Sequence, residues 1–227
     1  RIHFVSNISY ENNLKKIGIP QSYIFNYGAL AVERISKMQK KEPLHLKRKF
    51  GIQHENYYLF TFHPSTSHLN NGIDELKKLI KILSMHCNYP IYITKSNVDH
   101  GGIEFNEYLV SCVLNYPGKF YFIKNDLGED FLNILHESIA IIGNSSSGVI
   151  EAPLLNLPSI NVGDRQKGRV TTQSVFSVGS DMRKLKYAIN MIEKSFIKRN
   201  RSKITLNKKF LGNGKTSKKI IEKRSEE

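Results

Sequence analysis

The stretch Ile139-Ala140-Ile141-Ile142-Gly143-Asn144-Ser145-Ser146-Ser147-Gly148-Val149-Ile150-Glu151-Ala152 decides how the chain is read. Four consecutive apolar residues without polar alternation predict a strand buried on both faces, as in a parallel sheet. The small polar run from Gly143 to Gly148 ends that strand, and a helix is predicted over Val149 to Leu155. Strand, tight polar loop and helix make one β-α unit, and the unit recurs on both sides. Upstream, the strand Tyr57-Tyr58-Leu59-Phe60-Thr61-Phe62 precedes a helix with Ile73, Leu76, Ile80 and Leu83 at steps of three and four. The strand Ile91-Tyr92-Ile93-Thr94 precedes a helix around Tyr108, Leu109, Cys112 and Val113. The strand Phe120-Tyr121-Phe122-Ile123 precedes one that carries Phe131 and Leu135, opened by the capping-box spacing of Asp126 and Glu129. Downstream come Ser159-Ile160-Asn161-Val162, then Val175-Phe176-Ser177-Val178 and a helix through Met182, Leu185, Ile189, Ile192 and Phe196. Five or six such repeats predict an α/β fold with an open, doubly wound, Rossmann-like parallel sheet, because a closed barrel needs eight.

The opening behaves differently: strand His3-Phe4-Val5, helix Asn12 to Ile17, strand Tyr23-Ile24-Phe25-Asn26, then Gly28. We expect residues 1–39 to be the end of a preceding domain and a crossover, 40–200 the Rossmann-like domain, and 201–227 a basic C-terminal tail or helix. Lysine-rich Lys40 to Gln53, with Pro43, reads as the linker. The chain begins at Arg1 inside a strand-like run, as a piece of a longer protein would.

Hydrophobic residues at 40% and charged residues at 24% place the 227-residue chain among folded proteins. No apolar run has membrane-span length and no leader pattern opens the chain, so a cytoplasmic location and no membrane partner are expected. Cys87 and Cys112 lie in helix-like segments without metal-ligand spacing, and are read as buried reduced thiols. No metal site or cofactor is expected. The net charge of +14 suggests a polyanion partner at first sight, but residues 194–227 hold twelve Lys/Arg against three Glu, a net +9. That concentration is a solvated basic end, and no nucleic-acid-binding signature accompanies it, so no specific nucleic acid partner is expected.

In an open parallel sheet, ligands collect at the carboxyl ends of the strands, so the residues just after each strand carry the chemistry. His63-Pro64 follows the first strand, and an imidazole there can donate to a phosphate or work as acid and base, although a lone histidine at a strand end also serves structure. Asn97, Asp99 and Gly101 follow the second, as polar contacts in a flexible loop or as a simple turn. Ser145 and Ser146 open the decisive helix, where N–H groups and dipole favour an anion such as pyrophosphate. Glu151, about one turn inside it, is placed to accept the two hydroxyls of a ribose. The same serines could equally be plain helix caps with Glu151 as their partner. Arg165 and Arg169 lie in a Gly/Asp-bounded loop that can close over phosphates or simply be solvated. Four polar loops converging on one rim favour the functional reading over any single motif.

The string Gly143-Asn144-Ser145-Ser146-Ser147-Gly148-Val149-Ile150-Glu151-Ala152-Pro153, followed by Pro158-Ser159-Ile160-Asn161-Val162-Gly163-Asp164-Arg165-Gln166-Lys167-Gly168-Arg169, resembles the hydrolysing UDP-N-acetylglucosamine 2-epimerases of sialic acid pathways. His3-Phe4-Val5, Phe25 to Leu30, His63-Pro64, Asn97-x-Asp99-x-Gly101 and Gly212-Asn213-Gly214-Lys215-Thr216-Ser217 fall in the same order. The resemblance implies the C-terminal half of a two-domain GT-B fold. It implies that Asn97, Asp99, Gly101, Ser145, Ser146, Glu151, Arg165 and Arg169 hold the UDP-sugar, with Glu151 on the ribose, and that His63 faces the phosphates. The implied reaction removes the sugar's C2 proton, eliminates UDP and adds water to give N-acetylmannosamine. Its catalytic carboxylates lie in the other half, so this chain alone is expected to bind nucleotide without turnover. Relatives acting on UDP-diacetamido-trideoxy sugars share these motifs, whereas the loop Asp164 to Arg169 resembles hydrolysing members rather than the non-hydrolysing UDP-N-acetylglucosamine 2-epimerases, which stay a further alternative, and a polyanion-binding protein is the rival of a different class. A homo-oligomer, dimer or tetramer, is implied.

Overall fold

The computed structural model describes residues 1–64, 72–96, 102–124, 126–196 and 211–226. The chain divides into two compact units, one of Arg1–Gln39, Leu154–Asn156 and Ile204–Glu227, the other of Lys40–Pro153 and Leu157–Lys203.

The larger unit is built on a six-stranded parallel sheet of β3 (Tyr58–Thr61), β4 (Ile91–Ile93), β5 (Phe120–Phe122), β6 (Ile141–Gly143), β7 (Ser159–Val162) and β8 (Val175–Gly179). Their order across the sheet is β5-β4-β3-β6-β7-β8. The chain therefore builds outward from β3 in one direction, then returns to β6 and builds outward in the other, the doubly wound arrangement expected from the repeats. Tyr58, Phe60, Ile91, Ile93, Phe120, Ile142, Ile160 and Val162 join one core cluster with residues of α4 (Ile73–His86), α5 (Gly102–Asn115) and α8 (Met182–Phe196). The alternate residues Tyr57, Tyr92 and Tyr121 lie on the other face, where Tyr57 meets Tyr92 edge to face, Tyr92 stacks on Tyr121, and the Tyr57 hydroxyl donates to the Ile134 carbonyl of α6 (Phe131–Glu137). Both faces are covered, which is why these strands read as unbroken apolar runs. Cys87 and Cys112 are free and buried as expected, and burial raises the pKa of both thiols.

Three local expectations are corrected. Lys40 to Gln53 is not a linker: it contains α3 (Pro43–Phe50), whose Leu46 and Phe50 are buried. The Glu42 carboxylate accepts from the N–H of Leu44 and His45, Pro43 opens the helix, and Gly51 closes it in the left-handed conformation at φ +70°. The lysines mislead because they cover the outer side of an amphipathic helix and bind a neighbour: Lys41 and Lys49 both pair with the buried Asp130 just before α6, and hold its carboxyl below the usual range. The Asp126/Glu129 capping box does not form. Asp126 instead accepts from Gly128 N–H at 3.1 Å, and a short 3₁₀ turn intervenes before α6. Finally, the helix after Asn144 is a 3₁₀ turn, Ser146–Gly148, and then α7, Glu151–Leu154.

In the smaller unit β1 (His3–Val5) pairs in parallel with β2 (Ile24–Asn26), joined by α1 (Ile8–Lys16). The helix starts before Asn12, because the Asn7 side chain caps the N–H of Ser9 and Tyr10. After α2 (Leu30–Ser36), the unit is completed by α9 (Thr216–Ser225) from the basic end. Glu33 of α2 accepts from the N–H and hydroxyl of Ser217 and pairs with Lys37, which lowers its pKa to about 2. Thr216 donates to the Tyr27 carbonyl, and Lys219 and Lys223 lie over the rings of Tyr27 and Phe25. The backbones meet where Gly28, at φ +86°, approaches Gly212, at φ +106°. A Cβ on Gly28 would stand 2.7 Å from the Leu211 carbonyl oxygen, and one on Gly212 2.8 Å from the Gly28 Cα.

Candidate functional site

The reversal of strand order between β3 and β6 is the switch point at which such sheets open a crevice. The pairing of Thr61 with Gly143 brings the carboxyl ends of these two strands side by side. Gly143 permits this because φ there is +142° and a Cβ would lie 1.9 Å from the Thr61 carbonyl oxygen. One residue on, Asn144 N–H donates to the Thr61 carbonyl. Its carboxamide then holds His63 twice: it accepts from the His63 N–H at 2.8 Å and donates to the His63 carbonyl at 2.7 Å. The side chain thus acts as a peptide group and extends the β3–β6 ladder beyond the strand. With Asn144 2% and His63 8% exposed, both bonds are shielded from water.

Beyond Asn144 the loop folds on itself. Ser147 N–H donates to the Ser145 hydroxyl at 3.4 Å, Gly148 N–H to the Ser145 carbonyl and Val149 N–H to the Ser146 carbonyl. These internal bonds use the N–H groups of Ser147, Gly148 and Val149, and not those of Ser145 and Ser146. Ser159 of β7 donates its hydroxyl to the Gly148 carbonyl and fixes the loop from below. Glu151 falls in the first turn of α7 rather than a turn inside a longer helix. It is no capping-box partner of the serines: its Oε2 is buried and makes no hydrogen bond. A buried carboxylate oxygen without a donor is unfavourable unless a ligand supplies one.

From the other side comes the turn after β7. Gln166 is 5% exposed and donates through Nε2 to the Asn144 carbonyl at 2.9 Å, while its Oε1 is buried without a partner. Arg165 reaches the same carbonyl at 3.3 Å through Nη1. Arg169 is exposed, and its main-chain N–H closes the turn on the Gln166 carbonyl. The structure thus brings together His63, Ser145, Ser146, Glu151 and Arg165 around the ends of β3, β6 and β7, with Arg169 at the margin. Asn97, Asp99 and Gly101 lie outside the described residues. Sequence reasoning overlooked Gln166, whose polar neighbours hide it, and took Asn144 as a loop residue, because its partner His63 lies 81 positions away. It also overlooked a cavity of about 340 Å³ at the ends of β4 and β5, lined by Lys95, Asn106, Val110, Phe122, Ile123 and Lys124. Among the described residues no group of three His, Cys, Asp or Glu could hold a metal ion, and no helix is long and apolar enough to cross a membrane.

An open parallel sheet with polar loops at its switch point defines a Rossmann-like α/β domain. The sequence model of the UDP-N-acetylglucosamine 2-epimerase family matches residues 1–224, and the chain belongs to that family. It is 34% identical over 200 residues to a GDP/UDP-N,N'-diacetylbacillosamine 2-epimerase (hydrolyzing) of Campylobacter jejuni, covering 88% of this chain and 52% of that protein. It is 31% identical over 192 residues to polysialic acid biosynthesis protein P7 of Escherichia coli, covering 84% of this chain and 49% of that protein. The chain spans about half the length of these curated relatives. The fold resembles that of Methanocaldococcus jannaschii UDP-GlcNAc 2-epimerase, solved in complex with UDP-GlcNAc and UDP, with a TM-score of 0.77 at 19% identity over 100% of this chain and 61% of that one.

Proposed function

We propose that this chain is the nucleotide-binding half of a hydrolysing UDP-sugar 2-epimerase, and that the crevice between β3, β6 and β7 holds UDP. The buried, unpartnered Glu151 Oε2 carries the reading. An orphan acceptor calls for a hydrogen-bond donor, and the paired hydroxyls of a ribose supply two. Beside it, the Ser145 and Ser146 N–H groups and hydroxyls and the Arg165 and Arg169 guanidinium groups suit the diphosphate, and His63 stands at the end of β3 to meet its sugar side. Asn97, Asp99 and Gly101 complete the set by resemblance. The reaction of the whole protein would remove the C2 proton, expel UDP and hydrate the resulting glycal, with the carboxylates that move protons contributed by the other half. UDP-N-acetylglucosamine, giving N-acetylmannosamine, is the first candidate substrate. The similarity to the Campylobacter jejuni protein favours a second reading, in which the sugar is a UDP-diacetamido-trideoxyhexose.

Calorimetric titration of UDP into this chain tests the binding. Saturable binding that Glu151→Ala weakens at least about tenfold is expected, the loss of hydrogen bonds to a charged group. If UDP binds and Glu151→Ala leaves its affinity unchanged, the ribose assignment is wrong. Release of free UDP from each of the two sugar nucleotides by the natural polypeptide containing this chain then chooses between the substrates.

A further inference from the structure

The Asn144 main-chain carbonyl joins the two halves of the crevice. Gln166 Nε2 and Arg165 Nη1 both donate to it, at 2.9 and 3.3 Å, which fills its two lone pairs. Through its side chain the same residue holds both main-chain groups of His63. The two donors from the β7 turn differ in kind. Arg165 is exposed, and its guanidinium has further N–H donors beyond the one used here. Gln166 is buried and neutral, with its Oε1 left unpaired. A side chain that served packing alone would do better as methionine, which has similar length and no orphan acceptor.

We propose that Gln166 is a positioning residue for nucleotide binding. By occupying one lone pair of the Asn144 carbonyl, it fixes the turn after β7 against the loop after β6. That placement leaves the neighbouring Arg165 guanidinium over the rim, aimed at the diphosphate. The inference rests on the UDP reading above and adds a residue that acts through another.

The test compares UDP with uridine, which lacks the phosphates, in the natural polypeptide containing this chain. Affinities and Tm are measured for the unsubstituted protein, Gln166→Met, Arg165→Ala and the double variant. Gln166→Met is expected to weaken UDP about tenfold, the loss expected when one charge-assisted contact is misaimed, while uridine affinity and Tm hold. In the Arg165→Ala background the same change should cost no further UDP affinity, since the group it aims is gone. Unchanged UDP affinity in Gln166→Met overturns the inference. So does an equal loss for UDP and uridine, which would mean general damage to the crevice, or full additivity in the double variant. If the unsubstituted protein binds no UDP, the underlying reading falls and takes this inference with it. UDP binding that Gln166→Met leaves intact sinks the inference alone.

Discussion

Gly143 shows how one residue's backbone can set a site. With φ at +142° and the Thr61 carbonyl oxygen 1.9 Å from where a Cβ would lie, no other side chain fits without parting β3 from β6. Gly143→Ala is therefore expected to destabilise the larger unit by about 3 kcal/mol or more, from overpacking joined to a disfavoured φ. Urea titration checks this, and a midpoint within error of the parent contradicts it. The sequence marks Gly143 as a strand end, but its necessity depends on β3 and β6 being neighbours, which no local pattern records. Glu151 is the reverse case. Its type and place beside the serines are legible, while its lack of a partner emerges only when the loop's N–H groups are traced to their acceptors. Gln166 was missed for a related reason: one glutamine in a polar turn carries no signal until its carbonyl partner is known.

At the scale of elements, the strands were the most legible feature, because buried parallel strands have unbroken apolar runs that survive without knowledge of the fold. Helix ends were less so. α3 carried its own signals in Glu42, Pro43 and Gly51, but the lysine content outweighed them in the reading. α9 shows what composition conceals, since part of the basic end is a docked helix held by Glu33. The Glu33 carboxyl titrates at about 2 when folded against an ordinary 4.5, so it contributes stability above the ordinary value. That contribution is lost as the pH falls from about 5 towards 2. Hydrogen exchange along 211–226 is expected to speed up across that interval relative to the β6 strand. In Glu33→Gln the exchange relative to β6 should already be fast at neutral pH and should change little on acidification. A relative rate that still rises with acid in the variant would assign the docking to other groups.

For the whole molecule, the strand order β5-β4-β3-β6-β7-β8 reverses its direction of growth at β3, and the number of units on each side of that strand cannot be counted from the units alone. The overall charge of +14 adds a separate expectation. Attraction of DNA or heparin to such a surface works through counterion release, so its affinity should fall by more than about tenfold between 50 and 200 mM salt. UDP held by shaped contacts in a crevice should lose little over the same range. A UDP titration with the steeper salt dependence of the two would place the nucleotide on the basic surface instead. The crossing of Gly28 with Gly212 bears on how the smaller unit tolerates mutation. Most steric clashes in proteins have two remedies, because either partner can be trimmed. Here both partners are already as small as an amino acid can be, so damage at one has no repair at the other, and a genetic suppressor would have to shift a whole backbone segment.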